Sequence, residues 1–393
     1  MVNPNILASF PPPVMQSRRW LDGIEFTGDW PLINVSQAAP TQAPPAPLRE
    51  ALADMILNEP ESHLYGPVLG LPDLRAEVAQ QWSAAYKGKV SPNQVAITSG
   101  CNQAFCAAIA TLAKSGDAVL IPTPWYFNHK MWLDMNGIES RLLPVESNML
   151  PDPARAAEML DDTVKAILLV TPNNPTGAEY PAELVHEFYD LAKSRGIALI
   201  IDETYRDFDA RSGAPHDLFS DPNWGDTLIQ LYSFSKAYRL TGHRVGAMVA
   251  STCMLVEIEK FLDTVTICPN QLAQRGALFG MQNLSQWLAG ERAEILDRRA
   301  AIAEGFADFE GWKLLGAGAY FAYVQHPFDL ASDVLAQKLV EKSGVLMLPG
   351  TMFAPTLAKG GDGLAERQMR IAFANVDRAG IGQMFSRLRN LHF

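Results

Sequence analysis

The chain has 393 residues, with 32 Lys and Arg against 43 Asp and Glu, a net charge of −11. Its 48% apolar content and its 8 Trp, 18 Phe and 10 Tyr exclude a disordered chain, and the length suits about two domains. An acidic balance without a Lys/Arg block disfavours nucleic acid and anionic membranes as partners, and no uncharged apolar run approaches the ~20 residues that cross a bilayer.

In chain order, residues 1–47 come first, rich in proline (Pro11, Pro12, Pro13, Pro40, Pro44, Pro45, Pro47) with scattered aromatics such as Phe10, Trp20 and Trp30. That composition predicts an extended arm lying on another surface. Strand-like runs follow at Gln94–Thr98, Ala118–Pro122, Arg141–Val145, Lys165–Val170, Ile197–Ile201, Leu228–Tyr232 and Val245–Ala250, with helical patterns between several of them, as at Asn102–Ala113 and Ala182–Lys193. Runs such as Ala166–Val170 are apolar at successive positions, the signature of strands buried on both faces of a mostly parallel sheet. The final third opens on a charged helix over about Leu284–Phe309. Strand candidates at Tyr320–Gln325, Val345–Leu348 and Met369–Phe373 follow, around a helix at Ser332–Lys342. The fold expected is α/β: a large domain over 48–280, a smaller α+β domain over 281–393, and residues 1–47 as an arm forming part of the small domain.

Six motifs sit where strands end or begin. Ser99–Ala104 opens a helix with small residues, as a phosphate cup or a plain cap would. Thr171–Gly177 reads as a plain turn, although prolines flanking Asn173-Asn174 would also hold an amide side chain rigidly at the sheet edge. Asp202–Tyr205 puts an acid after five apolar residues, either as a helix cap or facing a cation. Ser233–Lys236 places a lysine beside two hydroxyls, where desolvation lowers an amine's pKa, although lysines usually snorkel to solvent. Thr241–Gly246 sets Arg244 between glycines, suited to a bidentate phosphate grip. Arg370 lies within an apolar strand and needs a carboxylate from protein or ligand. Cys101 and Cys106 have no His nearby, so no metal site is expected, and His129 reads first as a structural histidine. Four cysteines without a CxxC pair, behind a start lacking a basic region, predict a reduced, cytoplasmic setting.

Together with Tyr65-Gly66, Gly70-Leu71, Leu74-Arg75 and Pro124-Trp125-Tyr126, these motifs resemble, in their order, the class I/II aminotransferases, fold-type-I pyridoxal-phosphate enzymes of the aspartate aminotransferase superfamily. The resemblance runs from about residue 32 to the C-terminus and implies a large domain with a mostly parallel seven-stranded sheet sandwiched by helices. It implies pyridoxal 5′-phosphate as cofactor, held covalently by Lys236, which would also move the proton between the substrate's Cα and the cofactor. Asp202 would pair with the pyridine nitrogen, and Asn174 and Tyr205 would bond the ring oxygen. Arg244, Ser233 and Ser235 would bind the phosphate, with the backbone N–H groups of Gly100, Cys101 and Asn102. Tyr126, or its neighbour Trp125, would stack on the ring.

Arg370 would clamp the substrate α-carboxylate, with Asn174 beside it. Ala38, in Ala38-Ala39-Pro40 where many members have Gly-x-Pro, would form the wall above. Tyr65 would reach the phosphate of the other subunit of a homodimer with shared active sites. The implied reaction moves an amino group between an L-amino acid and a 2-oxo acid in two stages; the alternative on the same scaffold is a carbon–sulfur β-lyase or related elimination. The aromatics Trp20, Phe26, Trp30, Trp125, Tyr126 and Phe127 lean towards a neutral or aromatic substrate side chain.

Overall fold

A computed structural model describes residues 1–391. The chain starts with two short helices, α1 (Pro4–Ala8) and α2 (Pro13–Arg19), then β1 (Ile33–Asn34), α3 (Ala46–Asn58) and α4 (Pro72–Ala85). The arm is therefore not simply extended. Proline at the first helical position lacks only an N–H that a helix leaves unpaired anyway, and the Asn3 side chain caps α1 by accepting from Asn5 N at 3.0 Å.

Next come β2 (Val95–Thr98), α5 (Cys101–Leu112), β3 (Ala118–Thr123), α6 (Phe127–Met135), β4 (Glu139–Pro144), α7 (Pro153–Glu158), β5 (Val164–Val170), α8 (Ala182–Arg195) and β6 (Ala198–Asp202). They lead to β7 (Leu228–Ser233), α9 (Phe234–Ala237), β8 (Gly246–Val249), α10 (Thr252–Thr266) and α11 (Gln271–Asn283). The strands form a seven-stranded sheet in the order β2-β8-β7-β6-β5-β3-β4, parallel except for β8, which runs antiparallel to both neighbours. Helices cover both faces. Ile167 and Leu169 of β5 enter one core with Leu199 and Ile201 of β6, while Ala166, Leu168 and Ile200 enter the other. Burial on both faces is why these strands read as unbroken apolar runs.

The remaining elements are α12 (Ser285–Ala307), β9 (Lys313–Gly318), β10 (Phe321–Gln325), α13 (Ser332–Ser343), β11 (Val345–Leu346), β12 (Leu348–Pro349), β13 (Gln368–Ala372) and α14 (Arg378–Arg389). An antiparallel sheet β12-β13-β10-β9 packs with α12, α13 and α14 around a third core containing Ile302, Leu335, Ile371 and Phe385. The expected strand at Val345–Leu348 is split: β11 pairs in parallel with β1, and β12 pairs with β13. β9 was not expected, since two glycines in six residues depress strand propensity. Both glycines are needed, because a Cβ at Gly316 would lie 2.6 Å from the Thr176 carbonyl and one at Gly318 2.2 Å from that of Gly177. β9 thus lies directly against the turn that follows β5.

Candidate active site

The parallel strands bring their carboxyl ends to one edge of the sheet, with Val170 of β5 beside Asp202 of β6 and Asp202 beside Leu231 of β7. A cavity of about 500 Å³ opens there. Its lining includes Lys236, Asp202, Tyr205, Asn174, Arg244 and Arg370. Cys101, Asn102, Tyr126, Ser233, Ser235 and Ala38 line it as well, so nearly all the residues singled out in the sequence meet at one place.

Asp202 ends β6, fully buried. Burial alone would raise its carboxyl pKa, but His129, with Nε2 3.3 Å from Oδ2, and the Thr204 N–H, 3.0 Å from Oδ1, outweigh it and hold the carboxyl below its usual range. His129 is therefore more than core filling: its ring lies 4.0 Å from that of Phe105 and 4.9 Å from that of Tyr126, fixed behind the acid. A lone histidine on α6 carries no sequence signal for this contact, which arises only when α6 packs over β6.

Lys236 is carried on α9, directly beyond β7. Its amine donates to the Ala38 carbonyl at 2.6 Å and lies 5.9 Å from the centre of the Tyr205 ring. Burial, with Arg244 and Arg370 nearby, pushes its pKa down to about 8. Arg244 follows in the left-handed region (φ 55°), and its Nη1 donates to the Thr241 carbonyl at 3.0 Å and to Ser235 Oγ at 3.4 Å. The Gly-x-Arg-x-Gly segment works asymmetrically. A Cβ at Gly246 would lie 2.7 Å from the Tyr232 carbonyl and 2.8 Å from Cys101 N, so only glycine lets the start of α5 close down on β8; around Gly242 there is open space. Gly100, with φ 86°, caps α5, and a Cβ there would lie 2.4 Å from Arg244 Nη2. A guanidinium, two hydroxyls and the free N–H groups of a twelve-residue helix thus converge as an anion cradle.

Arg370, on β13, is almost completely buried. Its Nη1 donates to Asn174 Oδ1 at 2.8 Å and its Nη2 to the Ser36 carbonyl, while Nε has no partner. The guanidinium lies 4.8 Å from the Phe353 ring centre and 5.0 Å from that of Phe321, and burial lowers its pKa to about 10. No carboxylate lies within ion-pair distance of Arg370, Lys236 or Arg244 among the described residues.

The structure separates Trp125 from Tyr126. Tyr126 lines the cavity, with its hydroxyl 3.4 Å from Asn102 Oδ1, whereas Trp125 faces a second cavity of about 830 Å³ with Phe10 and Trp20. Phe26 and Trp30 stack on each other at 5.5 Å, away from the site. Of the six aromatics expected near the substrate, only Tyr126 and Phe127 line the main cavity, which removes most of the support for an aromatic side chain. Tyr65 is 81% exposed and outside the cavity. The segment Ser36–Ala38 carries no sequence signal as a hydrogen-bond acceptor for these cations, because its acceptors at Ser36 and Ala38 are backbone carbonyls. Among the described residues no helix is long and apolar enough to cross a membrane, and no cluster of three His, Cys, Asp or Glu could hold a metal.

Residues 31–388 match the family described as aminotransferase class I and II. An aromatic aminotransferase of Arabidopsis thaliana is 28% identical over 90% of this chain and 90% of its own length. An aspartate aminotransferase of Pyrococcus horikoshii is 28% identical over 87% and 86%, and a valine–pyruvate aminotransferase of Mycobacterium tuberculosis is 28% identical over 87% of each. The fold is similar to that of the aspartate aminotransferase of Thermus thermophilus solved with maleate, with a TM-score of 0.88 at 21% identity, covering 99% of this chain and 98% of that one.

Proposed function

The chain belongs to the class I and II aminotransferases, and from that premise we propose that its cavity takes up pyridoxal 5′-phosphate at Lys236 and moves an amino group between an L-amino acid and a 2-oxo acid. The observation that carries this reading is the meeting, in one cavity, of a buried lysine amine beside Arg244 and Arg370, its pKa pushed down to about 8, and a buried, ionised carboxylate. The residues fit the cofactor. Asp202 offers an anion to a protonated ring nitrogen, the cradle of Gly100, Ser235 and Arg244 fits a phosphate, and Arg370 keeps an orphaned Nε for a carboxylate.

When bound, the cofactor supplies a carbonyl carbon that carries nitrogen and a ring that takes up the electron pair left at the substrate's Cα. The protein does the rest. Arg370 binds the α-carboxylate, with Asn174 fixing the plane of its fork, which leaves the substrate amine and Cα facing Lys236. Lys236, neutral for part of the time near pH 7–8 because of its surroundings, takes the Cα proton and returns it on the other side of the exchange. Tyr126 forms part of one wall of the cavity, its hydroxyl 3.4 Å from Asn102 Oδ1.

We read residues 48–280 as the unit that holds the cofactor and 281–393 as the unit that brings Arg370, with 1–47 packed across both. The exposure of Tyr65 and of its neighbour Leu64 supports a homodimer in which Tyr65 completes the partner's cavity. The four free cysteines suit a reducing, cytoplasmic setting.

Protein loaded with pyridoxal phosphate and given an amino acid without any oxo acid is expected to convert the cofactor to its amine form, with loss of visible absorbance. Absorbance should return when a 2-oxo acid is added. Failure of every amino donor to produce the first change overturns the reading.

A further inference from the structure

Three consecutive residues after β1 each accept a hydrogen bond from a different cation of the cavity. The Ser36 carbonyl accepts from Arg370, the Gln37 Oε1 accepts from Arg18 Nη2 at 2.9 Å, and the Ala38 carbonyl accepts from Lys236 at 2.6 Å. Arg370 and Lys236 have work in the reading above. Arg18 has none.

Arg18 is carried on α2 and lines the cavity, with its side chain open to solvent. Among the described residues no carboxylate pairs with it, and Gln37 offers only a neutral amide oxygen, which leaves most of its N–H fork free. Met15, Phe127 and Met131 supply apolar wall around the cavity. Charge points the same way. The cavity lining holds four cations, Arg18, Lys236, Arg244 and Arg370, and one carboxylate, Asp202. A bound phosphate answers Arg244 and an α-carboxylate answers Arg370, which leaves one guanidinium without an anion.

We propose that Arg18 is a specificity-determining residue for amino transfer, binding the distal carboxylate of a four- or five-carbon dicarboxylic amino acid or of the matching 2-oxo acid. This rests on the reading above, in which Arg370 takes the α-carboxylate, Lys236 faces the amine and Arg244 takes the phosphate, so that Arg18 is the cation of the cavity lining left for a side-chain carboxylate. Charge-assisted pairing with a carboxylate is stronger than the present bond to an amide.

The test compares kcat/KM for glutamate and for norvaline, a neutral amino acid of equal chain length, in the holoenzyme and in Arg18→Gln and Arg18→Lys. The wild type is expected to favour glutamate by more than ~10-fold. In Arg18→Gln the glutamate-to-norvaline ratio falls about 10–100-fold, chiefly through KM, and Arg18→Lys retains part of it because an ammonium keeps the charge without the fork. A wild type that treats both substrates alike overturns the proposal. So does Arg18→Gln if it leaves the ratio unchanged or lowers both substrates equally, the mark of a role in holding α2 alone. If no amino acid reacts at all, the underlying reading of the site fails, which is a separate outcome.

Discussion

Lys236 is a lysine whose surroundings oppose its charge, and the consequence for stability has a definite sign. Its ordinary pKa is 10.5 and its value in the fold about 8, so between these the unfolded chain binds more protons and stability rises with pH. Below pH 8 the protonated amine is a cost to the fold, caused first by burial and then by Arg244 and Arg370. Lys236→Met is therefore expected to stabilise the cofactor-free protein at pH 7 by on the order of 2 kcal/mol, with the gain vanishing towards pH 10.5. Thermal unfolding at both pH values checks this; an equal gain at both would place its origin elsewhere. Asp202→Asn acts differently. It leaves the volume almost unchanged but removes the charge offered to the ring nitrogen, so amino transfer should fall at least about 100-fold; because the fold holds this carboxyl below its usual range, its charge also stabilises the fold at pH 7, and the melting temperature should fall too. Kinetics on a variant confirmed to be folded decide this.

At the scale of elements, two glycines of one motif separate packing from sequence pattern. Gly246→Ala drives a Cβ into the Tyr232 carbonyl and Cys101 N, both backbone atoms, and is expected to destabilise by about 2 kcal/mol or more and to weaken phosphate binding at the start of α5. Gly242→Ala meets open space and should stay within about 0.5 kcal/mol of the wild type. Denaturant unfolding of both variants reads the difference, and equal effects would mean that the close approach of α5 to β8 is not what the second glycine provides. The same contrast explains what could be read from the sequence. The seven strands of the large sheet stand within a few residues of expectation, and for the inner ones, such as β5 and β6, the reason is that burial on both faces leaves an uninterrupted apolar run, whereas edge strand β4 (Glu139–Pro144) is mostly half-buried. The site residues at their ends stood out because a polar group directly after such a run has few structural reasons to be there. What escaped lacked a local signal. β9 owes its glycines to a neighbouring turn, α1 and α2 have prolines that read as extended chain, and His129 acquires its partner from a strand some seventy residues away.

Over the whole molecule the net charge of −11 coexists with a cavity whose lining holds four cations and one carboxylate. The outer surface therefore offers anionic substrates no attraction, and the pull begins only within about a Debye length, ~8 Å at physiological salt, of the mouth. Raising ionic strength is expected to lower kcat/KM for a dicarboxylic substrate and to change that for a neutral one much less, which steady-state kinetics in graded salt will read. The guanidinium of Arg370 joins three stretches of chain far apart in sequence: β13, which carries it, Asn174 beyond β5, and Ser36 beyond β1. A carboxylate arriving there redistributes those bonds, so residues that never touch the ligand share its arrival. Backbone amides around 34–38 and 173–178 should then exchange hydrogen more slowly with substrate bound, as the two arms of a clasp tighten when its pin goes in.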